Sequence, residues 1–299
     1  MLSLLLPPTL VGLLAGAALT LGTVVAGTLM IPFILLKVLV PIAGFRRACT
    51  DVMFAIARQW PAFNRLVYRL MYPVAWDIEV HGTLDPHRSY LLVGNHQSII
   101  DILLVFDQFS HRTPPLCFFL KRELRWMPVI GWACWGMDYP FMNRAGLASD
   151  LETTRRFCER FRDHPVTVTN FAEGTRFSEE KRVSKRSPYR HLLRPKAAGL
   201  AFTLDAMGEQ FAGIIDVTLA YRPSTHPIAW SFLIGEQTEL AIRIDVLPVP
   251  AELMGGNYSG DKAFRERFHG WLNGLWRRKD ARLDRLINRP AAAARPRMT

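Results

Sequence analysis

The chain has 299 residues, which suffices for one large domain or two small ones. Its 37 Lys and Arg residues against 26 Asp and Glu residues give a net charge of +11, which favours anionic partners such as acidic lipid headgroups, phosphorylated substrates or nucleic acid. A mean hydropathy of +0.09 is high for a soluble enzyme and indicates a membrane setting. The four cysteines have no C-x-x-C spacing, so the sequence suggests neither a disulfide framework nor a cysteine metal site.

The N-terminal segment predicts a membrane-spanning helix. Residues 1–36 carry no charge, and a helix over Thr9–Leu36 would be about 42 Å long, beyond the roughly 30 Å hydrocarbon core. Two alternatives are a cleaved signal peptide, although a basic n-region is missing, and a hairpin that re-enters the same leaflet at Pro32 and Pro41. Basic residues begin only at Lys37, which predicts a single-pass protein of the bacterial inner membrane with its later residues in the cytoplasm.

Residues 44–75 mix Arg with Trp, Tyr, Phe and Leu, which predicts an interfacial helix. From Trp76 onward, apolar runs alternate with helical patterns, which predicts an α/β domain with a mixed sheet flanked by helices. The predicted strands are Trp76–Val80, Tyr90–Val93, Leu116–Leu120, Val166–Phe171, Gly213–Ala220, Trp230–Ile234 and Ala241–Leu247.

Two further amphipathic helices are predicted, over residues 147–162 and 262–287. The second one has aromatic residues on one face, so it could lie on the membrane or pack on the domain. We therefore divide the chain into a membrane-spanning segment, an interfacial helical segment, an α/β domain, and a C-terminal helix with a disordered tail. Their ranges are 1–40, 41–75, 76–260 and 261–299.

An ionisable pair follows the apolar run Tyr90–Val93. His96 and Asp101 are five residues apart, about 140° of rotation on a helix, so they cannot share a face of one continuous helix. They can meet if His96 lies in the turn and Asp101 lies in the first turn of a helix capped by Ser98. The carboxylate would then hold one imidazole nitrogen and leave the other free to act as a base. A structural histidine is the alternative interpretation.

A second constellation follows the predicted strand Val166–Phe171. Gly174 allows backbone amides to approach an anion, Thr175 offers a hydroxyl, and Arg176 offers a bidentate fork for phosphate. An ordinary surface turn would explain this tetrapeptide alone. A third segment, 139–144, ends in Arg144 after an apolar run.

Taken in order, N-H-x4-D, an Arg-ended segment and E-G-T-R resemble the motifs of the glycerolipid acyltransferases of the lysophosphatidic acid acyltransferase type. The motifs occupy residues 95–101, 141–144 and 171–176, and the resemblance covers roughly residues 76–250. Residues 121–131 are similar to the family's segment between the first two motifs. The strand Ile214–Tyr221 departs from the family's proline-centred fourth motif and is similar to the lysocardiolipin and long-chain branch, which leaves the acceptor lipid open.

The resemblance implies that His96 is the general base on the free hydroxyl of a lysophospholipid and that Asp101 orients its imidazole. The implied acceptor is 1-acyl-glycerol 3-phosphate, giving phosphatidic acid. Acyl-CoA or acyl carrier protein would be the co-substrate, with no cofactor. The sequence shows no metal-ligand spacing, which predicts no metal. The substrate-binding residues implied in this way are Asn95, Lys121, Arg144, Glu173, Gly174, Thr175 and Arg176.

Other interpretations stay open from the sequence. A membrane-tethered basic protein that binds nucleic acid or a partner would fit the charge, although it would not need the His96 and Asp101 pair. An acyltransferase for another lysolipid is a nearer alternative. The basic run 181–196 could be a solvated loop or could contact anionic lipid, CoA phosphates or acyl carrier protein. Trp126, Trp132 and Trp135 could be core residues, line an acyl-chain tunnel or lie at the membrane interface.

Overall fold

A computed structural model describes residues 1–143, 147–162, 164–237 and 239–289. Arg144, and the tail from residue 290 onward, lie outside the described residues. Within these ranges the chain forms the predicted α/β structure, with a six-stranded mixed sheet and a small two-stranded sheet. The strands are β1 (Ala75–His81), β2 (Ser89–Gly94), β3 (Leu116–Phe118), β4 (Leu120–Lys121), β5 (Phe141–Met142), β6 (Thr167–Phe171), β7 (Phe211–Tyr221) and β8 (Glu239–Leu247).

The large sheet has the strand order β1-β8-β7-β2-β6-β3. The pair β7 and β8 is antiparallel, and the other neighbouring pairs are parallel. Strand β2 is fully buried, as expected for a central strand covered on both faces. The order brings the carboxyl ends of β7, β2 and β6 side by side, and open α/β sheets bind their ligands at such an edge.

Helices flank the sheet on both sides. Within the described residues they are α1 (Pro8–Leu39), α2 (Ala43–Met71), α3 (Ile100–Phe109), α4 (Ile130–Gly136), α5 (Leu147–Arg160), α6 (Glu179–Ser184), α7 (Ala197–Met207), α8 (Ile228–Leu233) and α9 (Lys262–Asn288). Helix α9 packs on β7 and α7 and buries Phe268, Leu272 and Trp276. Its apolar face therefore covers the domain, which was one of the two predicted arrangements.

Two details of the predicted strands differ from the structure. The prediction of a strand over Trp230–Ile234 is wrong, because this run belongs to α8, which packs on α1. A short apolar run does not by itself distinguish a buried strand from a buried helix. Here the run packs against helix α1 and is itself helical. The predicted strand Leu116–Leu120 is divided, since β3 joins the large sheet and β4 pairs with β5.

Helix α1 packs against the rest of the protein along its whole length. A Cβ at Gly12 would come within 2.6 Å of Ile234, one at Gly22 within 2.3 Å of Phe63, and one at Gly27 within 2.3 Å of Val129. The contacted residues adjoin α8, lie in α2 and adjoin α4, so the glycines allow α1 to approach all three. Near its end, Lys37 is buried and bonds Asp138 at 2.6 Å.

The outer face of α1 is apolar and exposed. Among the described residues, one helix is long enough and apolar enough to cross a membrane, and this helix is α1. Trp126, Trp132 and Trp135 add further exposed apolar surface, with 78%, 45% and 39% of each residue accessible. They are therefore not core residues, and their exposure is typical of a membrane-associated protein.

Candidate active site

Polar side chains gather where three neighbouring parallel strands end. His96 follows β2 by two residues, Glu173 follows β6 by two residues, and Tyr221 is the last residue of β7. Gly94 at the end of β2 is in register with Phe171 of β6 and Val217 of β7. The fold therefore brings the two sequence motifs to one edge of the sheet.

The predicted contact between His96 and Asp101 is present in the structure. Nδ1 of His96 lies 2.8 Å from Oδ2 of Asp101, which is completely buried. The same oxygen accepts the backbone N–H groups of Gln97 at 2.5 Å and Ser98 at 2.8 Å. An oxygen that already accepts two backbone N–H groups favours the tautomer with its proton on Nδ1, and in that tautomer Nε2 carries the lone pair.

The imidazole of His96 is held on its face as well as at its edge. Its ring stacks on Phe171 with centroids 4.3 Å apart and planes at 10°. In the part of the chain that the structure describes, Nε2 has no hydrogen-bond partner, and 16% of the side chain is exposed. The ring therefore offers one unoccupied basic nitrogen to a molecule that enters the site.

The helix after His96 begins differently from the prediction. Ser98 is not its N-cap, because α3 begins at Ile100 after Ile99, which provides no side-chain cap. Ser98 Oγ accepts the Ile100 N–H at 3.3 Å. Asp101 instead reaches back from the first turn of α3 to the preceding amides. The carboxylate thereby orders the turn that carries His96.

Tyr221 is a residue of this site that the sequence analysis missed. Its hydroxyl donates a hydrogen bond to Oδ1 of Asp101 at 2.5 Å, across 120 residues of sequence. Burial, with the nearby Asp101 charge, raises the pKa of Tyr221 well above its usual value, so the hydroxyl stays protonated and remains a donor. The available signal was a tyrosine at the end of a mostly apolar strand, which alone does not reveal its partner.

Asn95 lies directly before His96 and is completely buried. Its side-chain amide nitrogen donates to the carbonyl of Leu219 at 2.9 Å, and its oxygen accepts the Leu219 N–H at 2.9 Å. The side chain thus pairs with β7 as a further strand residue would. The resemblance implied substrate contact for Asn95, whereas these contacts attach the His96 turn to the neighbouring strand.

Glu173 connects the first and third motifs. Oε1 accepts the His96 backbone N–H at 2.9 Å and Oε2 accepts the Leu193 N–H at 2.7 Å. The residue is 1% exposed, and burial raises the pKa of its carboxyl group to about 7, although the two amide hydrogen bonds oppose this shift. These contacts support a positioning role for Glu173 and not a direct contact with phosphate.

The remaining E-G-T-R residues form the turn beside His96. Gly174 has a φ of +66°, and a Cβ there would lie 3.1–3.3 Å from the side chain of Lys196, so the turn requires glycine. Thr175 Oγ1 accepts a hydrogen bond from Lys181 at 3.2 Å. Arg176 is exposed, and among the described residues its guanidinium group has no partner. The turn therefore offers cationic hydrogen-bond donors near the imidazole.

The other predicted positions contribute less to this geometry. Lys121 is exposed at the end of β4, in the small sheet and not in the sheet that carries His96. Arg144 is outside the described residues. Across the described ranges, no group of three or more His, Cys, Asp or Glu side chains is arranged to hold a metal ion.

Comparisons with known proteins agree with the motifs. A family model described as Acyltransferase matches residues 77–222. The chain is 29% identical over 168 residues to 1-acyl-sn-glycerol-3-phosphate acyltransferase 3 of Arabidopsis thaliana, covering 52% of this chain and 44% of that protein. It is 25% identical over 266 residues to the delta form of this enzyme from Rattus norvegicus, covering 78% of this chain and 66% of the relative. The chain thus spans 44% of the length of the first relative and 66% of the length of the second.

A solved structure shows the same fold. It is the crystal structure of the 1-acyl-sn-glycerophosphate (LPA) acyltransferase PlsC from Thermotoga maritima. The TM-score is 0.56 at 18% identity, and the match covers 92% of this chain and 97% of that one. The similarity in fold therefore extends over most of this chain.

Proposed function

We propose that the chain is an acyltransferase of the lysophosphatidic acid acyltransferase type, and that it transfers a fatty acyl group from a thioester donor to the free hydroxyl of a lysophospholipid. We propose 1-acyl-glycerol 3-phosphate as the acceptor, which would give phosphatidic acid, and acyl-CoA or acyl carrier protein as the donor. The observation that carries the proposal is the contact between His96 and the buried Asp101, which leaves Nε2 open.

In the proposed reaction, Nε2 of His96 removes the proton from the acceptor hydroxyl as its oxygen attacks the thioester carbonyl. A tetrahedral intermediate forms with a new C–O bond. It collapses by breaking the C–S bond, and the departing sulfur takes the proton from the imidazolium. The acyl group moves directly between substrates, so no acyl-enzyme forms, and the base is neutral again at the end.

Asp101 and Tyr221 act as positioning residues in this mechanism. Asp101 holds the Nδ1 proton and stabilises the imidazolium that forms during attack. Tyr221 donates to the second oxygen of that carboxylate and so keeps it aimed at the ring. Because these groups are already in place before substrate arrives, little reorganisation is needed in the transition state.

Arg176 is proposed to bind the phosphate of the acceptor. Its exposed guanidinium can form a bidentate contact with phosphate, and it directly precedes Phe177, whose N–H donates to the His96 carbonyl at 2.7 Å. A phosphate anchored there would hold the acceptor hydroxyl near Nε2, which raises the effective concentration of the nucleophile. Lys181, which bonds the Arg176 carbonyl, adds further positive charge.

We propose that the protein associates with the cytoplasmic face of a bacterial inner membrane. From the sequence we predict a spanning helix, with a hairpin in one leaflet as an alternative. The contacts of α1 with α2, α4 and α8 along its whole length favour the hairpin, because a helix that crosses the bilayer would separate from the soluble domain. The exposed apolar face of α1 would then lie in the leaflet that supplies the lysolipid.

The experiment that tests the function is acyl transfer by the purified full chain in lipid or detergent. Labelled acyl-CoA and acyl carrier protein would each be offered with lysophosphatidic acid and with other lysophospholipids. We expect acylation of at least one phosphate-bearing lysolipid and none with His96→Ala. Transfer that survives the loss of His96 would contradict the mechanism, and absence of transfer with every acceptor would contradict the function.

A further inference from the structure

A cleft beside the active-site turn is not used by the mechanism above. Its volume is about 440 Å³, a size typical of small-molecule sites. Its lining residues combine aromatic and cationic side chains with one glutamate and one proline. They are Phe177, Glu179, Arg182, Pro188, Tyr189, Arg190 and His191.

One residue that lines the cleft, Phe177, is hydrogen-bonded to the backbone of the catalytic histidine. The N–H of Phe177 donates to the backbone carbonyl of His96 at 2.7 Å. The far wall is fixed to α9, where Tyr189 bonds the side chain of Asn273 and the Arg190 and His191 amides donate to Asp280. The cleft is therefore built from segments that the fold holds in place, and one of its lining residues contacts the His96 turn.

Its surroundings are strongly basic. Residues 176–196 contain eight Lys and Arg residues against two Glu residues. Arg182 bonds Glu179 through Nε and Nη2, and Arg190 bonds Asp284 through Nη1, so other guanidinium N–H groups remain available among the described contacts. The Arg190 pair is exposed, and exposed ion pairs are weak, so an incoming phosphate can compete for the guanidinium.

Building on the proposed acyl transfer, we propose that this cleft binds the phosphorylated adenosine of a CoA thioester. The Arg182 and Arg190 guanidinium groups would contact its phosphates, and the ring of Phe177 would contact the adenine. The long pantetheine arm would then reach from the cleft to Nε2 of His96. None of the cleft-lining residues belongs to α2, α4 or α8, on which α1 packs, which favours a ligand from the aqueous side over a lipid headgroup.

The test uses adenosine 3′,5′-bisphosphate, a fragment of CoA, as a probe of the full chain in detergent. Calorimetry is expected to detect binding, and the double variant Arg182→Ala with Arg190→Ala should raise the Kd at least about tenfold, as expected for lost charge-assisted contacts. The matched control is Arg155→Ala with Arg156→Ala on α5, which removes two exposed arginines from similar pairs with glutamates. The control should bind the probe as the parent does.

In the transfer assay, the double variant should raise the KM for acyl-CoA by a similar factor and leave the KM for the lysolipid unchanged. Equal probe binding by parent and double variant would overturn the proposal. So would displacement of the probe by inorganic phosphate at equal concentration, which would indicate a simple anion site. A raised KM for acyl carrier protein without probe binding would instead indicate a carrier-protein surface and would also refute the proposal.

The binding measurement separates this site from the reaction itself. His96→Ala should bind the bisphosphate with the parent's affinity, because the side chain of His96 does not line the cleft. Probe binding without acyl transfer to any lysolipid would refute the proposed function, while the assignment of the cleft to phosphorylated adenosine would still stand. Acyl transfer without probe binding would refute the cleft and leave the function standing.

Discussion

Replacing Tyr221 with Phe tests whether the Asp101 carboxylate needs its second support. The substitution removes one hydroxyl that donates to Oδ1 of Asp101 and keeps the ring in the core. Hydrogen bonds to charged groups contribute about 1.5–3 kcal/mol, which corresponds to a factor of roughly 10 to 150 in rate if the whole contribution is realised in the transition state. Asp101 keeps two backbone amide donors, so we expect the lower end, about a tenfold fall in kcat.

The assay is the initial rate of acyl transfer at saturating donor with varied lysolipid. Because Tyr221 acts through Asp101 and does not contact the acceptor, kcat should fall while KM stays near the parent value. A double-mutant cycle makes this specific. In an Asp101→Asn background, the change Tyr221→Phe should have little further effect, since the partner that it supports has already been altered.

The matched control is Tyr139→Phe. Tyr139 is also buried, and its hydroxyl donates to the backbone carbonyl of Leu116, away from His96. It should lower the thermal stability without a comparable loss of kcat. The reasoning would be refuted if folded Tyr221→Phe kept kcat within about twofold of the parent, or if both variants lost kcat equally.

Further predictions concern the base, the phosphate site, the buried glutamate and the membrane helix. His96→Ala should abolish detectable transfer while vesicle binding is retained, and loss of both would point to misfolding. Arg176→Ala should raise the acceptor KM about tenfold, as for a lost charge-assisted contact, and an effect confined to the donor would contradict its phosphate role. Because the pKa of Glu173 rises to about 7 on folding, its burial should destabilise the parent by up to about 3 kcal/mol as pH rises from 4.5 through 7. The melting temperature of Glu173→Gln, measured across this pH range, should lack that fall in stability. The same pH dependence in the variant and the parent would refute the prediction. A cysteine placed at Leu10 in α1 should be labelled from the same side of oriented vesicles as a cysteine in the α/β domain. Labelling from the opposite side would instead support a helix that spans the membrane.

The sequence could predict the His96 and Asp101 contact because both residues belong to one turn and the start of one helix. Local spacing limits how such a turn can close, and the preceding apolar run identified the strand end. Tyr221 and Leu219 could not be found in this way. Their contacts with Asp101 and Asn95 cross more than a hundred residues, and hydrophobic periodicity does not reveal which strands become neighbours.

The α8 error has a related cause. Residues 228–233 are mostly apolar, and their conformation depends on which surface covers them. In the structure that surface is α1, where the absence of a side chain at Gly12 allows Trp230 and Ile234 to approach. A segment whose partner lies more than two hundred residues away cannot be assigned from its own composition.

The contacts of His96 divide the site into residues that aim the base and residues that can hold substrate. The backbone N–H of His96 donates to Glu173, its carbonyl accepts from Phe177, and its Nδ1 bonds the carboxylate that Tyr221 supports. Each of these contacts is complete before substrate binds, so weakening one should lower kcat with little change in either KM. Arg176 has no such contact with the histidine side chain and should affect KM for the acceptor. Glu173→Gln is the sharpest case for this division, because the resemblance to the family assigns the residue to substrate binding while its two amide contacts predict a kcat effect.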